Sequence, residues 1–213
     1  MSTTIPGTAR TQAVRIRLVG LTPLLMNNPA SMLLAKTVWN RPTPEEEAEA
    51  GLYASEDGRL YVKFDAIRCC ALHAARRLGL RKMARLLAGS LLNANLEEPC
   101  WLYDPETSRP LTRADYVEDL RPVVVGRRRV MRARPKIMKW ATEAEFILDT
   151  LVACPEDLEQ ALLDALAWAG KHCGIGDYRP EKGGPFGRFR VEVIPPAAGI
   201  DSRCDLSVGE VMQ

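Results

Sequence analysis

The sequence predicts an α+β fold with the element order strand, helix, strands, helix, strand. Two stretches of strict polar–apolar alternation bracket the chain, and two amphipathic helical patterns lie between them. There are too few helices alternating with strands for a doubly wound parallel sheet.

In residues 13–21, AVRIRLVGL, Val14, Ile16 and Leu18 alternate with Arg15 and Arg17, the period of a half-buried strand. The following TPLLMNNPASMLL is broken into a loop by Asn27, Asn28 and Pro29, and in PTPEEEAEA the proline Pro44 and the glutamates suit a helix start. GLYASEDGRLYVKF reads as a hairpin turning at Asp57-Gly58. In DAIRCCALHAARRLG, Ile67, Cys70, Ala71, Ala74 and Leu78 make an apolar stripe, and Gly79 offers the C-terminal cap. Residues 81–88 extend as a second short helix, SLLNANLEEPCWLYD reads as extended, and DPETSRP is turn-rich. After the acidic RADYVEDL come the β-rich VVV and RRRVM and a further strand in ATEAEFILDTLVA.

The clearest element starts at Pro155, where a first helical residue can spare its N–H. Glu156 and Asp157 face the positive end of its dipole, and Leu158, Leu162, Leu166 and Ala169 recur at helical spacing. Lys171 and His172 suit its last turn and Gly174 its cap; GRFRVEV, with Phe189, Val191 and Val193, is the final strand. This is the split βαββαβ pattern of a ferredoxin-like, RNA-recognition-motif-like sheet. A single domain is expected over residues 13–194, with insertions at about 22–62 and 104–140. Residues 1–12 are expected to form a tail, and 195–213 a tail or arm.

The chain has 213 residues, 46% of them hydrophobic and 26% charged, enough for one sizeable core. No apolar run approaches the ~20 residues of a membrane span, and MSTTIPGTARTQ lacks the apolar centre of a secretory signal. A cytoplasmic protein is therefore expected, with its six cysteines reduced. There is no CxxC; Cys69 and His73, four apart on a helix, and His172 beside Cys173 read as core residues rather than metal ligands. No metal or other cofactor is expected.

A formal net charge of +2 averages two unlike regions. Residues 121–140, RPVVVGRRRVMRARPKIMKW, hold eight basic residues and no acid: Arg121, Arg127, Arg128, Arg129, Arg132, Arg134, Lys136 and Lys139. The rest of the chain has 21 basic residues against 27 acidic, a balance of −6. Val130, Met131, Ile137 and Met138 interleave the cations, and Pro122, Gly126 and Pro135 argue against a membrane-surface helix. Such a segment is an anion-binding surface, because guanidinium groups grip phosphates and stack on bases.

A second unusual stretch, CGIGDYRPEKGGPFGRFRVEV, packs five glycines, two prolines and three aromatics between helix and strand. Gly174-x-Gly176 follows a helix rather than a strand and no GK[ST] occurs, which excludes the dinucleotide and P-loop contexts. Tyr178, Arg179, Lys182, Phe186 and Arg188 mix rings with cations. Glycines that let backbone approach a strand, with Tyr178 or Phe186 stacking a base, would make the loop a binding element.

GIGDYRPEKGGPFGRFRVEV resembles the C-terminal glycine-rich loop of the RAMP superfamily, the repeat-associated mysterious proteins that include backbone and RNA-processing subunits of CRISPR effectors. LTPLLMNNPASM, RRRVMRARPKI and GIGDYRPEKGGPFGRFRV together resemble a family of phage and prophage proteins. The resemblance implies a ferredoxin-like fold, single-stranded RNA or DNA as ligand, and head-to-tail assembly of copies along it. Gly174, Gly176, Gly184 and Gly187 match the loop glycines, and the basic segment takes the place of an inserted hairpin that grips the strand.

Three functions follow in order of support. The first is a non-catalytic binder of single-stranded nucleic acid, in phage replication or recombination or in a CRISPR-like guide complex. The second is a metal-independent endoribonuclease with His172 beside the glycine loop as its base, His73 being read as structural. The third is a structural assembly protein whose basic segment pairs with the acidic remainder of another copy.

Overall fold

The computed structural model describes residues 11–33, 42–93, 95–125, 127–151 and 153–195. Along the chain run β1 (Thr11–Gly20), β2 (Leu24–Leu25), α1 (Pro44–Ala50), β3 (Tyr61–Lys63), α2 (Phe64–Arg77), α3 (Arg81–Ser90), β4 (Pro99–Tyr103), β5 (Val117–Val125), β6 (Arg128–Ile137), β7 (Ala141–Asp149), α4 (Pro155–His172) and β8 (Phe189–Ile194). The fold is α+β, with two antiparallel sheets. Among the described residues no helix is long and apolar enough to cross a membrane.

The larger sheet has the order β3-β4-β7-β1-β8. β1 is flanked by β7 (Ile16 opposite Ala144) and β8 (Leu18 opposite Val191). The alternation in β1 does what its period requires: Val14, Ile16 and Leu18 are buried beneath the helices, while Arg15 and Arg17 reach acids on the other face. Onto the buried face pack α2, through Ile67, Cys70, Ala71, Ala74 and Ala75, and α4, through Leu158, Ala161, Leu162, Ala165, Leu166 and Ala169. α4 approaches β8 so closely that a Cβ on Gly170 would lie 2.1 Å from the Phe189 carbonyl oxygen. Pro155 opens α4, and the expected caps hold: Gly79 and Gly174 follow α2 and α4 at φ of +79° and +70°.

The second sheet, β2-β6-β5, contains the basic segment. β5 and β6 pair over nine positions, from Val117 opposite Lys136 to Val125 opposite Arg128, and Leu24 and Leu25 join the outer side of β6 at its base. α1 lies along β6. It starts with a capping box in which the Thr43 hydroxyl accepts from the Glu46 amide and the Glu46 carboxylate from the Thr43 amide. The hairpin expected at Asp57-Gly58 is present, with the Gly58 amide donating to the Ser55 carbonyl and Ala54 bridging Leu60. Two stretches differ from expectation. Ser90 still belongs to α3 and, among the described residues of SLLNANLEEPCWLYD, only Pro99–Tyr103 is strand, Leu91 adding a single bridge to Leu148. β1 starts at Thr11, inside the tail expected over residues 1–12; residues 1–10 of that tail and 196–213 of the C-terminal one lie outside the described residues.

Candidate nucleic-acid interface

The glycine loop is a folded knot tied to β2. The Asp177 amide donates to the Leu25 carbonyl (2.7 Å) and the Gly187 amide to the Pro23 carbonyl (2.8 Å); within the loop, the Ile175 amide donates to Gly187 (3.0 Å) and the Gly184 amide to Arg179 (3.0 Å). Four of its five glycines have φ between +69° and +80°, which glycine adopts without the strain of a Cβ. Tyr178 is itself left-handed, at φ +44°.

The role expected for these glycines is corrected here. A Cβ on Gly176 would meet the Leu25 carbonyl oxygen at 2.6 Å, on Gly184 the Tyr178 oxygen at 1.8 Å, on Gly187 the Ile175 oxygen at 1.8 Å, and on Gly174 the Pro180 ring at 2.7 Å. The loop's own chain, or at Gly176 that of β2, occupies each of these Cβ positions, so the glycines are what let the loop close on itself and on β2. Phe186 is corrected likewise: only 7% exposed, it is no stacking platform, whereas Tyr178 keeps 38% of its surface open.

The basic segment is less bare than its local sequence implies. Arg121 and Lys136 both reach the Asp119 carboxylate, Arg132 pairs with Glu47 of α1, Arg134 lies 3.0 Å from Asp177 of the glycine loop, and Lys139 reaches Glu106 at 2.9 Å. Asp119 is 8% exposed; burial pushes its carboxyl up, but hydrogen bonds from Arg121 and Lys136 outweigh that and hold it below its ordinary value. Arg127 and Arg129 at the ribbon tip are exposed and have no ion-pair partner among the described residues. The same holds for Lys182 and Arg188 of the glycine loop. The side chain of Arg128 lies outside the described residues. Arg179 is half-buried and held inward, donating to Glu181 and to the Gly176 carbonyl.

Ribbon and loop meet. The Arg121 guanidinium lies 4.6 Å from the centre of the Phe186 ring and 5.5 Å from that of Tyr178, and the two rings are 6.2 Å apart. More than fifty residues separate the basic strand from the aromatic loop, and the fold brings Arg121 and the two rings together; Arg129, paired with Val124, lies on the other face of the ribbon.

Behind the loop opens a cleft of about 480 Å³, with Leu24, Met26 and Ile175 as apolar wall and His73, Arg179 and Glu181 at its polar side. The two histidines thus exchange the places expected of them. His172 is exposed and packs on Trp168, ring centres 4.7 Å apart, while His73 faces the cleft. Its Nε2 lies 3.1 Å from both Glu181 Oε1 and Arg77 Nε. Nε2 can accept from the guanidinium when it carries no hydrogen and donate to the carboxylate when it does. The signal is present in DAIRCCALH: Asp65, Cys69 and His73 recur every fourth residue, which puts them on one face of α2.

Comparison of the chain with protein-family models and with curated proteins finds no match.

Proposed function

We propose that this protein binds single-stranded RNA or DNA, without chemistry of its own, on the surface where the β5–β6 ribbon meets the glycine loop. The observation that carries this reading is the contact of Arg121 with Phe186 and Tyr178, which joins a cationic ribbon to an open ring. Arg127 at the turn supplies unpaired charge for phosphates, Lys182 and Arg188 add to it, Arg129 offers a further cation on the ribbon's other face, and the exposed ring of Tyr178 offers a base a stacking surface. The order β8-β1-β7-β4, with α2 and α4 as crossovers, supports the ferredoxin-like reading and with it the RAMP-type relationship. Copies of the chain would then follow one another along the strand in the cytoplasm of a bacterial or phage-infected cell.

The test is fluorescence anisotropy with labelled oligonucleotides across a salt series. Replacing Arg127 and Arg129 together by alanine should flatten the slope of log affinity against log salt, by about 0.7 for every phosphate that the protein no longer neutralises. An unchanged slope in the folded variant would remove the ribbon tip from the phosphate surface.

A second reading, a metal-independent endoribonuclease, is favoured by the position of His73 against Glu181 in the cleft. His73, rather than His172, would be its base. Metal-free cleavage of single-stranded RNA that His73→Ala abolishes and His172→Ala spares would establish it.

A further inference from the structure

Asn27 and Asn28 are consecutive and have opposite fates. Asn28 is structural: its amide nitrogen donates to the Leu52 carbonyl (3.0 Å) and its oxygen accepts from the Ala30 amide (3.0 Å). The Asn27 side chain lines the cleft behind the glycine loop and has no hydrogen-bond partner among the described residues. Its amide carries donors at one end and an acceptor at the other, and the cleft it borders is lined by apolar and charged side chains alike. Asp65 and Glu181, which only accept hydrogen bonds when ionised, border the same space.

We propose that this cleft takes one amino-bearing nucleobase of the bound strand and that Asn27 reads it. The inference rests on the nucleic-acid reading above. A cleft of about 480 Å³ admits a base together with its sugar, within the range of pockets for small ligands. Leu24, Met26 and Ile175 are buried beneath the floor, but Tyr53 is half-buried and Ala66 exposed at the cleft, and these can pack on a base face, as apolar side chains do wherever a base leaves the stack. An asparagine amide pairs with an edge that offers an exocyclic amine beside a ring nitrogen, as adenine and cytosine do. Glu181 is taken up by Arg179 and His73, but the contacts of Asp65 with Arg68 and Cys69 use Oδ1, so Asp65 Oδ2 can accept from such an amine, which uracil and thymine lack. The cleft would thus select by base where the ribbon holds any phosphate.

The experiment compares RNA and DNA homopolymers of roughly twelve nucleotides, a length within the reach of one such domain. The parent chain should bind the A and C series about ten-fold more tightly than the U and T series, the discrimination expected of one bidentate contact. Asn27→Ala should level that difference and leave the salt slope as it was. Asn27→Asp, which keeps the shape but removes the amide donor, gives a second variant should the first be unstable. A footprint on the unmodified chain is independent of both. Cys69 borders the cleft and is exposed, and Cys154, exposed at the start of α4, is an internal control. Saturating A-series oligonucleotide should slow iodoacetamide labelling of Cys69 several-fold and leave Cys154 unchanged. Retained preference in Asn27→Ala, or Cys69 labelled at full rate in the complex, would overturn the proposal. Equal binding of all homopolymers would remove the base pocket alone, whereas no binding of any would remove the nucleic-acid reading with it.

Discussion

Arg121 of β5 and Phe186 of the glycine loop stand 4.6 Å apart, guanidinium over ring, and Tyr178 completes the arrangement at 5.5 Å. Because Asp119 of the ribbon also holds this guanidinium, one side chain joins the ribbon to the loop. Arg121→Ala should cost about 1 kcal/mol of stability in urea unfolding, the size of a cation–π contact at a half-exposed site. Arg121→Lys should restore little of it, since a compact ammonium stacks poorly on two rings. A cost near zero for Arg121→Ala would mean that the ribbon is held at its base alone.

The loop glycines separate into two groups by the space around them. Gly187→Ala and Gly184→Ala would each drive a Cβ to 1.8 Å from a backbone oxygen, which no rotamer change relieves, and should cost more than about 3 kcal/mol. Gly183 has the same left-handed backbone at φ +79° but nothing within 4 Å of its Cβ position, so Gly183→Ala should cost only about 1–2 kcal/mol. Thermal denaturation of the three variants measures the contrast.

Tyr178 and Phe186 touch, yet their replacements should report on different processes. Phe186→Ala empties a buried site and should lower stability by about 3 kcal/mol or more. Tyr178→Ala should leave stability within about 1 kcal/mol and weaken oligonucleotide binding by about 1–3 kcal/mol. Its salt slope should match the parent's, because a ring releases no counterions. Equal affinity of Tyr178→Ala and parent at every salt concentration would show that no base stacks there.

Acid should loosen the ribbon. The folded-state value of Asp119 lies below the ordinary 3.8, so its ion pairs contribute fully above pH 3.8 and are lost as pH falls through the lower folded value. Asp119→Asn should therefore be less stable than the parent at pH 7, with the gap narrowing below pH 3.8. Urea midpoints of both chains at pH 7 and pH 3 give the comparison, and a gap that does not change with pH would mean that the carboxylate charge is immaterial.

What can be read from the sequence is local. The stripe of α4, its Pro155 start and the Gly174 cap depend on neighbours within a turn or two and stand as expected. The β-rich character of residues 121–140 likewise becomes a paired ribbon. What escapes depends on partners far along the chain. Glu47, some 85 residues before Arg132, neutralises part of a segment that looks acid-free, and Leu25, about 150 residues before Gly176, is what forbids a side chain there. Phe186 escapes for the same reason: nothing adjacent in sequence shows that Arg121 and Tyr178 cover it.

Glu47 does more than balance Arg132. One of its carboxylate oxygens accepts from the Ala133 amide on the side of β6 beyond the reach of Leu24 and Leu25. A carboxylate there stands in for a neighbouring strand and stops the second sheet from growing at that edge. The ribbon's other border, β5, lacks a donor at Pro122, in the middle of its run. The ribbon is therefore polar in the geometric sense: one border is sealed by a side chain and the other is interrupted by an imino acid. Two chains meeting at these borders would touch through side chains without their sheets fusing.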